Sequence, residues 1–312
     1  MKSPTENCDV LIVGGGPAGL SAAVYLARAC RSVVVMDCDR PGRSDWPQVN
    51  QNYLGFPEGI AAAELVELGR AQVERFGGQI QEGEVAELIP LVGDAKGFEA
   101  RGPGLSISAR AAVLATGVRD HWVEFPGHEE FIGITMHWCI VCDGYEMQGQ
   151  RVLVVGNTDE TVDEAIQMRR FTPKVTVLSN RGSVGITPAA TMRLKTAKIP
   201  LVIGCIASAR AKEPGHFTSV CLEDGAELKL DHLFSAQGAE PNNALARALE
   251  VSLDEEGYIL TDKDGQTNVP GIWAAGDVTR RSSHQIITAA NEGANAGTAI
   301  NWALYQQEQE SK

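Results

Sequence analysis

The sequence predicts an α/β fold with two cores, opening on a dinucleotide-binding strand–helix–strand unit. Three observations point there. At 312 residues and 44% hydrophobic content the chain is longer than one core usually grows, so two domains are expected. Near the N-terminus an apolar run passes through a glycine turn into a helical stretch. Near the C-terminus another apolar run ends in a Gly-Asp pair before a long helical stretch.

Residues 9–13, DVLIV, read as the first strand; Gly14, Gly15, Gly16, Pro17, Ala18 and Gly19 form the turn, and 20–28 have helical character. A second strand, 32–36, ends at Asp37, about 20 residues beyond the turn, the separation the dinucleotide fingerprint requires. Each glycine has a physical reason: Gly14 makes the tight turn, Gly16 lets the backbone approach a pyrophosphate, and Gly19 lets the helix pack closely on the strand. The helix N-terminus attracts the phosphates, and Asp37 is placed to hold both hydroxyls of a ribose. A glycine pattern alone is weak, because glycine serves any turn into a helix; here strand, helix, second strand and terminal acid are all in place. The fingerprint does not separate NAD from FAD. Residues 271–278, GIWAAGDV, do: a strand leads to Gly276 and Asp277, then to a helix over about 285–305. In flavoproteins an aspartate at such a strand end accepts hydrogen bonds from the ribityl chain, and the following helix turns its positive end toward the flavin. FAD is the expected cofactor.

The charge balance, 27 basic against 40 acidic residues for a net −13, repels nucleic acid and anionic membrane surfaces. Only seven residues precede Cys8, too few for a signal peptide, and no apolar run approaches the roughly 18 residues of a membrane span. A soluble, cytoplasmic protein is expected. Of the seven cysteines, only Cys139 and Cys142 lie close together, in HWCIVCDGYE (137–146). Such a pair serves either zinc or redox chemistry, but zinc needs four ligands and no second pair exists; His137 would be at most a third. No metal is expected. A CxxC pair at a helix start has a lowered thiol pKa, and thiolate is the reactive form. Cys8, Cys30, Cys38, Cys205 and Cys221 read as small core residues.

With these residues in hand, the chain resembles the low-molecular-weight thioredoxin reductase family of FAD-dependent disulfide oxidoreductases over essentially its whole length. The family order is matched by GGGPAG at 14–19, an Asn-aromatic element at Asn52-Tyr53, ATG at 115–117, CxxCDG at 139–144 and AAGDV at 274–278. The resemblance implies two Rossmann-like, three-layer ββα dinucleotide-binding domains, the second inserted in the first: 1–117 and 245–312 would form the FAD domain, and 118–244 the domain carrying the cysteines. It implies FAD contacts from Gly14, Gly16, Pro17, Ala18, Gly19, Asp37, Asn52, Val85, Thr116, Gly117, Gly276, Asp277, Gln285 and Ile286. Cys142 would face the flavin, Cys139 would attack a partner disulfide through a mixed disulfide, and Asp143 would move the proton. The implied partner is a thioredoxin-like protein or a small disulfide, and the implied assembly a homodimer. The turn at 237–242 would be the hinge about which the small domain rotates.

The pattern departs from the family in the inserted domain. NADPH-using members carry GxGxxA after its first strand and HRRxxxR after its next. Here the first place reads Gly156-Asn157-Thr158-Asp159-Glu160-Thr161, keeping only the first glycine and adding carboxylates where a phosphate would arrive. The second reads Ser179-Asn180-Arg181-Gly182-Ser183, keeping only Arg181. Loss of NADPH is therefore expected, with electrons arriving from ferredoxin or from a second FAD or other dinucleotide in the altered site. The alternatives are an NADPH-dependent thioredoxin reductase with a divergent site, an oxygen-using dithiol oxidase, and a flavin redox sensor without turnover. Those oxidases commonly show His where this chain has Asp143, which favours disulfide reduction. Trp46 is open between stacking on a flavin ring and covering apolar surface. Trp138 and His137 read as packing residues beside the pair, Gln285 as a better flavin neighbour than His284, and 306–312 as a frayed tail.

Overall fold

The structure, a computed structural model, describes residues 6–38, 42–91, 97–280 and 282–310. Seven α-helices follow one another among these residues: α1 (Pro17–Arg28), α2 (Ala62–Arg75), α3 (Ile140–Asp143), α4 (Asp159–Met168), α5 (Pro188–Thr196), α6 (Ala244–Ala248) and α7 (Ile286–Glu310). The chain divides into two compact units. The first comprises Met1–Asp45, Ala62–Arg119 and Glu240–Lys312, and the second Trp46–Ala61 and Asp120–Ala239. Both are built on Rossmann-like parallel sheets, the α/β fold expected.

In the first unit, strand Glu6–Val13 runs parallel between Val33–Asp37 and Leu105–Leu114, with Gln79–Glu82 outside Val33–Asp37. The far edge of Leu105–Leu114 is shared: its first half pairs antiparallel with Phe98–Gly102, its second half parallel with Ile272–Ala274. The C-terminal Gly-Asp motif is thereby brought to the same end of the sheet as the N-terminal glycine turn. Alternation along the first strand sends Leu11 and Val13 into one core and Val10 and Ile12 into the other, so both faces are covered, as parallel sheets require. On the second of these faces α7 lies against α1, and the approach is tight: a Cβ at Gly293 would lie 2.0 Å from the Ala18 carbonyl oxygen. Near its end α7 is tied down by Glu308, which accepts from Arg31 at 2.5 Å and Arg110 at 2.8 Å. Those two bonds, Arg31 first, hold the Glu308 carboxyl down to about 2. The tail read as frayed from 306 is therefore helical to Glu310, and 311–312 lie outside the described residues.

The second unit has a five-stranded parallel sheet in the order Met136–His137, His232–Ser235, Val152–Val155, Val175–Leu178 and Leu201–Val202. One face buries Val162, Ala165 and Met168 of α4 with Ala190 and Leu194 of α5. The other packs on Ile206, Phe217, Val220 and Leu222 of a three-stranded antiparallel meander, Ile206–Glu213, His216–Leu222 and Glu227–Lys229. The reading of the isolated cysteines as core residues holds for Cys8 alone, whose thiol burial pushes up to about 12. Cys30 and Cys38 are exposed, and Cys205 and Cys221 are partly so. Cys30 has φ 61° just past the end of α1, a left-handed turn position rather than a core one.

Candidate functional site

The first unit gathers the predicted nucleotide-binding segments around the C-terminal ends of its parallel strands. Gly14 takes φ 115°, and a Cβ there would lie 2.2 Å from the Ala115 carbonyl oxygen, so the turn after the first strand and the start of Ala115-Thr116-Gly117 touch. A Cβ on Gly19 would lie 1.9 Å from the Gly14 carbonyl oxygen, which explains a glycine within the first turn of α1. Gly16 differs: among the described residues, nothing lies within 4 Å of where its Cβ would be. That residue is the N-cap of α1, with no side-chain cap, Pro17 in the first turn and no acid there. The leading N–H groups of α1 thus have no side-chain cap, and a helix start of this kind can take a pyrophosphate. Asp37 ends its strand beside the turn, accepting from the Gly15 N–H at 3.1 Å and from Arg70 at 2.7 Å.

From the C-terminal segment, the Gly276 N–H donates to Glu292 at 2.7 Å, and Asp277 accepts from Arg43 at 2.9 Å. Gln285 immediately precedes α7 and its carbonyl takes the Ala289 N–H at 2.9 Å; Ile286 is the first helical residue. Thr116 donates to the Asn242 carbonyl at 2.7 Å, and Gly117 accepts from the Asn242 N–H at 3.0 Å. Val85 is buried in the core with Val13, Met36 and Val278. Asn52 belongs instead to the second unit, where it is exposed. The open cradle at Gly16, the uncapped α1 and the carboxylates of Asp37 and Asp277 fit FAD. Arg43, Arg70 and Glu292, which hold those groups, carry no local sequence signal; they lie 234, 33 and 16 residues from their partners.

In the second unit, Cys139 and Cys142 are joined as a disulfide with Cα atoms 5.2 Å apart. Cys139 is the N-cap of α3, and its carbonyl accepts from the N–H groups of Cys142 and Asp143 at 3.1 and 3.0 Å. Because α3 is a single turn of four residues, its dipole stabilises a thiolate less than the helix start expected from sequence would. Trp138, Ile140 and Asp143 beside the pair are partly exposed, while Val141 and Tyr145 stand out into solvent at 69% and 73%. His137 is buried, with Nδ1 3.6 Å from Asp143 Oδ2 and Nε2 3.0 Å from His232 Nδ1. His232 was invisible to sequence reasoning, since it lies 95 residues from His137. Trp138 meets Trp122 edge-on at 5.0 Å, and Trp122 meets Trp46 edge-on at 5.8 Å. Trp46 packs against the apolar core of this unit.

At the other expected nucleotide position, the turn into α4 is closed by its own side chains. Thr158 caps the helix, accepting from the Thr161 N–H at 3.4 Å, and Thr161 Oγ1 accepts from the Thr158 N–H at 3.3 Å. Asp159 accepts from the N–H and the hydroxyl of Thr187, each at 2.8 Å; the Thr187 backbone bond, then the hydroxyl, lowers its pKa. Asn157 accepts from the Gly185 N–H at 2.7 Å. Gly156 is required for packing, since a Cβ there would lie 2.4 Å from Thr161 Oγ1. At the end of the next strand, Asn180 accepts from the Ile206 N–H at 2.9 Å, and Arg181 is exposed.

A Rossmann-type unit whose glycine turn and Gly-Asp strand end fit FAD, in one chain with a CxxC disulfide, defines a flavin-dependent disulfide oxidoreductase. The chain belongs to the pyridine nucleotide-disulphide oxidoreductase family, whose model matches residues 8–293. Among its relatives, the thioredoxin reductase of Listeria innocua is 33% identical over 308 residues, covering 95% of this chain and 94% of the relative. The crystal structure of HlmI superposes with a TM-score of 0.89 at 30% identity, covering 98% of this chain and 95% of that one. Thioredoxin reductase from Streptococcus pyogenes superposes at 0.87 with 28% identity, covering 97% and 99%. The protein is an FAD-dependent disulfide oxidoreductase homologous to thioredoxin reductases. No helix among the described residues is long and apolar enough to cross a membrane.

Proposed function

We propose that this enzyme passes electrons between FAD and the Cys139–Cys142 pair, and exchanges them with a thioredoxin-like protein or a small disulfide. In this reading Gly14 to Gly19, Asp37, Thr116, Gly117, Asp277 and the start of α7 hold the cofactor. When bound, it supplies the two-electron chemistry that the side chains lack. Cys142 is the thiol nearest the flavin, Cys139 the thiol that attacks the partner, and Asp143 the proton carrier. The thioredoxin reductase relatives support a thioredoxin partner. Exposed Val141 and Tyr145 beside the pair support docking of a protein disulfide rather than of a small molecule alone.

The donor in this reading is not NADPH, and one observation carries the point: the α4 N-terminus is capped by Thr158 and flanked by Asp159 and Glu160. A pyrophosphate placed there would displace the cap and meet two carboxylates. Electrons then arrive from a carrier such as a ferredoxin, or through a second flavin bound in another pose. The second reading, an NADPH-dependent thioredoxin reductase with a divergent site, is favoured by the relatives themselves, since the matching family is described by its pyridine nucleotide. Anaerobic addition of NADPH to the yellow protein separates the two: slow or absent bleaching supports the first, and rapid bleaching at micromolar NADPH the second. The number of flavins released per chain on denaturation then separates an external carrier, at one, from a second bound flavin, at two.

A further inference from the structure

Asp143 has buried company that the reading above does not use. His137, on the strand Met136–His137, is only 9% exposed, and it lies between Asp143 on one side and His232 on the next strand on the other. The imidazole nitrogens of His137 and His232 are 3.0 Å apart, a hydrogen bond in which one ring donates and the other accepts. At 3.6 Å, His137 Nδ1 and Asp143 Oδ2 are a small side-chain rotation or one water short of a hydrogen bond. His232 is partly exposed. A chain of titratable groups therefore leads from the residue next to Cys142, through a buried imidazole, to a second imidazole with access to solvent.

We propose that His137 and His232 are a proton relay for the Cys139–Cys142 pair, serving Asp143 as it gives up and regains its proton. This rests on the reading of Asp143 as the proton carrier. Reduction breaks the Cys139 Sγ–Cys142 Sγ bond and forms two thiols, consuming two electrons and two protons. Both electrons and one proton come with the reduced flavin, which leaves one proton for the chain to deliver from Asp143. The carboxylate left behind is reprotonated in steps: His232 takes a proton from solvent on Nε2, its Nδ1 proton passes to His137 Nε2, and the His137 Nδ1 proton passes to Asp143. Oxidation of the dithiol runs the same steps backwards.

The surroundings decide which groups can carry the proton. Facing the histidine pair are Asp143 from α3, Asp231 beside His232 and His216 from the meander, with Asp231 held in turn by Arg151, just before Val152–Val155. Asp231 is committed to Arg151, accepting at 2.6 Å on Oδ1 and 3.0 Å on Oδ2, and that bond, more than any other influence, holds its carboxyl down to about 2. It is thus a fixed charge and does not compete for the proton. Burial, then His137, pushes the His232 imidazole down to about 4 against the pull of Asp231 and Asp143, with His216 adding to the lowering. His232 is therefore neutral at pH 7, with one ring nitrogen free to accept a proton and the other N–H free to pass one on, and its protonation is the costly step of the relay.

The test uses holoenzyme reduced anaerobically with dithionite and mixed by stopped flow with dithiobis(nitrobenzoate), with flavin reoxidation followed by absorbance. His232→Asn, which keeps a hydrogen-bonding group toward His137 but cannot take up and release a proton, and His232→Ala are both expected to slow reoxidation on the order of 10²-fold at neutral pH. Added imidazole restores much of the His232→Ala rate, which a merely structural role would not allow. His137→Gln is expected to be as slow. Asp143→Asn tells apart the two ways of failing. If it runs at the wild-type rate, the reading of Asp143 has failed and the relay with it. If it is slow while His232→Asn is not, or while imidazole leaves His232→Ala unchanged, Asp143 stands and the relay is overturned.

Discussion

The N-terminus of α1 follows the strand Glu6–Val13 and that of α4 follows Val152–Val155, each after a glycine turn, and they are finished in opposite ways. At α1 the N-cap is Gly16, with no side chain on the leading N–H groups, no acid in the first turn and open space in front. At α4 the N-cap is Thr158 in a capping box, followed by Asp159 and Glu160, with Asp159 bonded to Thr187. Either solution satisfies the orphan donors of a helix start, one by leaving them for a bound anion and the other by using the chain's own oxygens. The difference teaches that one Rossmann topology can leave a helix start open or close it with its own side chains through three or four residues, without a change in the sheet beneath.

That contrast can be broken or sharpened by substitution. The largest effect is expected downstream of it: Cys142→Ser removes the redox couple and abolishes disulfide turnover while leaving the protein yellow, measured by flavin absorbance and thiol release. Gly16→Val places a side chain in the open cradle at an extended φ of −77°, where the chain itself leaves room. The variant should fold, yet bind FAD about 100-fold more weakly, a loss of about 2.7 kcal/mol by equilibrium dialysis. A folded variant that keeps wild-type affinity would mean that the cradle at α1 is not the phosphate site.

On α4 the crowd of carboxylates has its own cost. Glu164 Oε2 is buried without a hydrogen-bond partner among the described residues, and burial, then Glu160 and Asp163, pushes its carboxyl up to about 7 from 4.5. The folded state therefore holds a proton that the unfolded state has released between those values. The stability this provides is complete below about 4.5 and is lost as pH rises through about 7. Glu164→Gln should match wild type at pH 4 and exceed it by up to about 3 kcal/mol at pH 8 in urea denaturation, taking about 1.4 kcal/mol per pKa unit. The smallest effect belongs to the cap: Thr158→Ala should cost about 1 kcal/mol by the same measurement, with FAD content unchanged.

Much of this was legible in the sequence, where the signal is local. The apolar strands at 9–13, 32–36 and 271–278, the glycine turn and the CxxC pair sit within a few residues of what they define, and the structure has strands and turns there. Leu105–Leu114 escaped notice because its serines and arginine break the apolar run, although it is the strand that joins the N- and C-terminal motifs into one sheet. The meander escaped for a similar reason, since Ile206–Glu213 exposes most of its side chains. Partners across long separations left no trace at all: Arg70 on Asp37, Arg43 on Asp277 and His232 on His137 are products of topology, not of spacing. The capping of α4 was half legible. Asp159 and Glu160 read as carboxylates where a phosphate would arrive, but Thr158 as the cap and Thr187 as the partner of Asp159 came only with the fold.

The difference between α1 and α4 is tested most directly by titrating the anaerobic, oxidised protein with NADPH and recording the flavin spectrum. The account predicts that micromolar NADPH leaves the flavin oxidised, while dithionite bleaches it and a disulfide restores the colour through Cys139. Rapid, stoichiometric bleaching by NADPH would contradict it, and would show that a self-capped helix still accepts the dinucleotide.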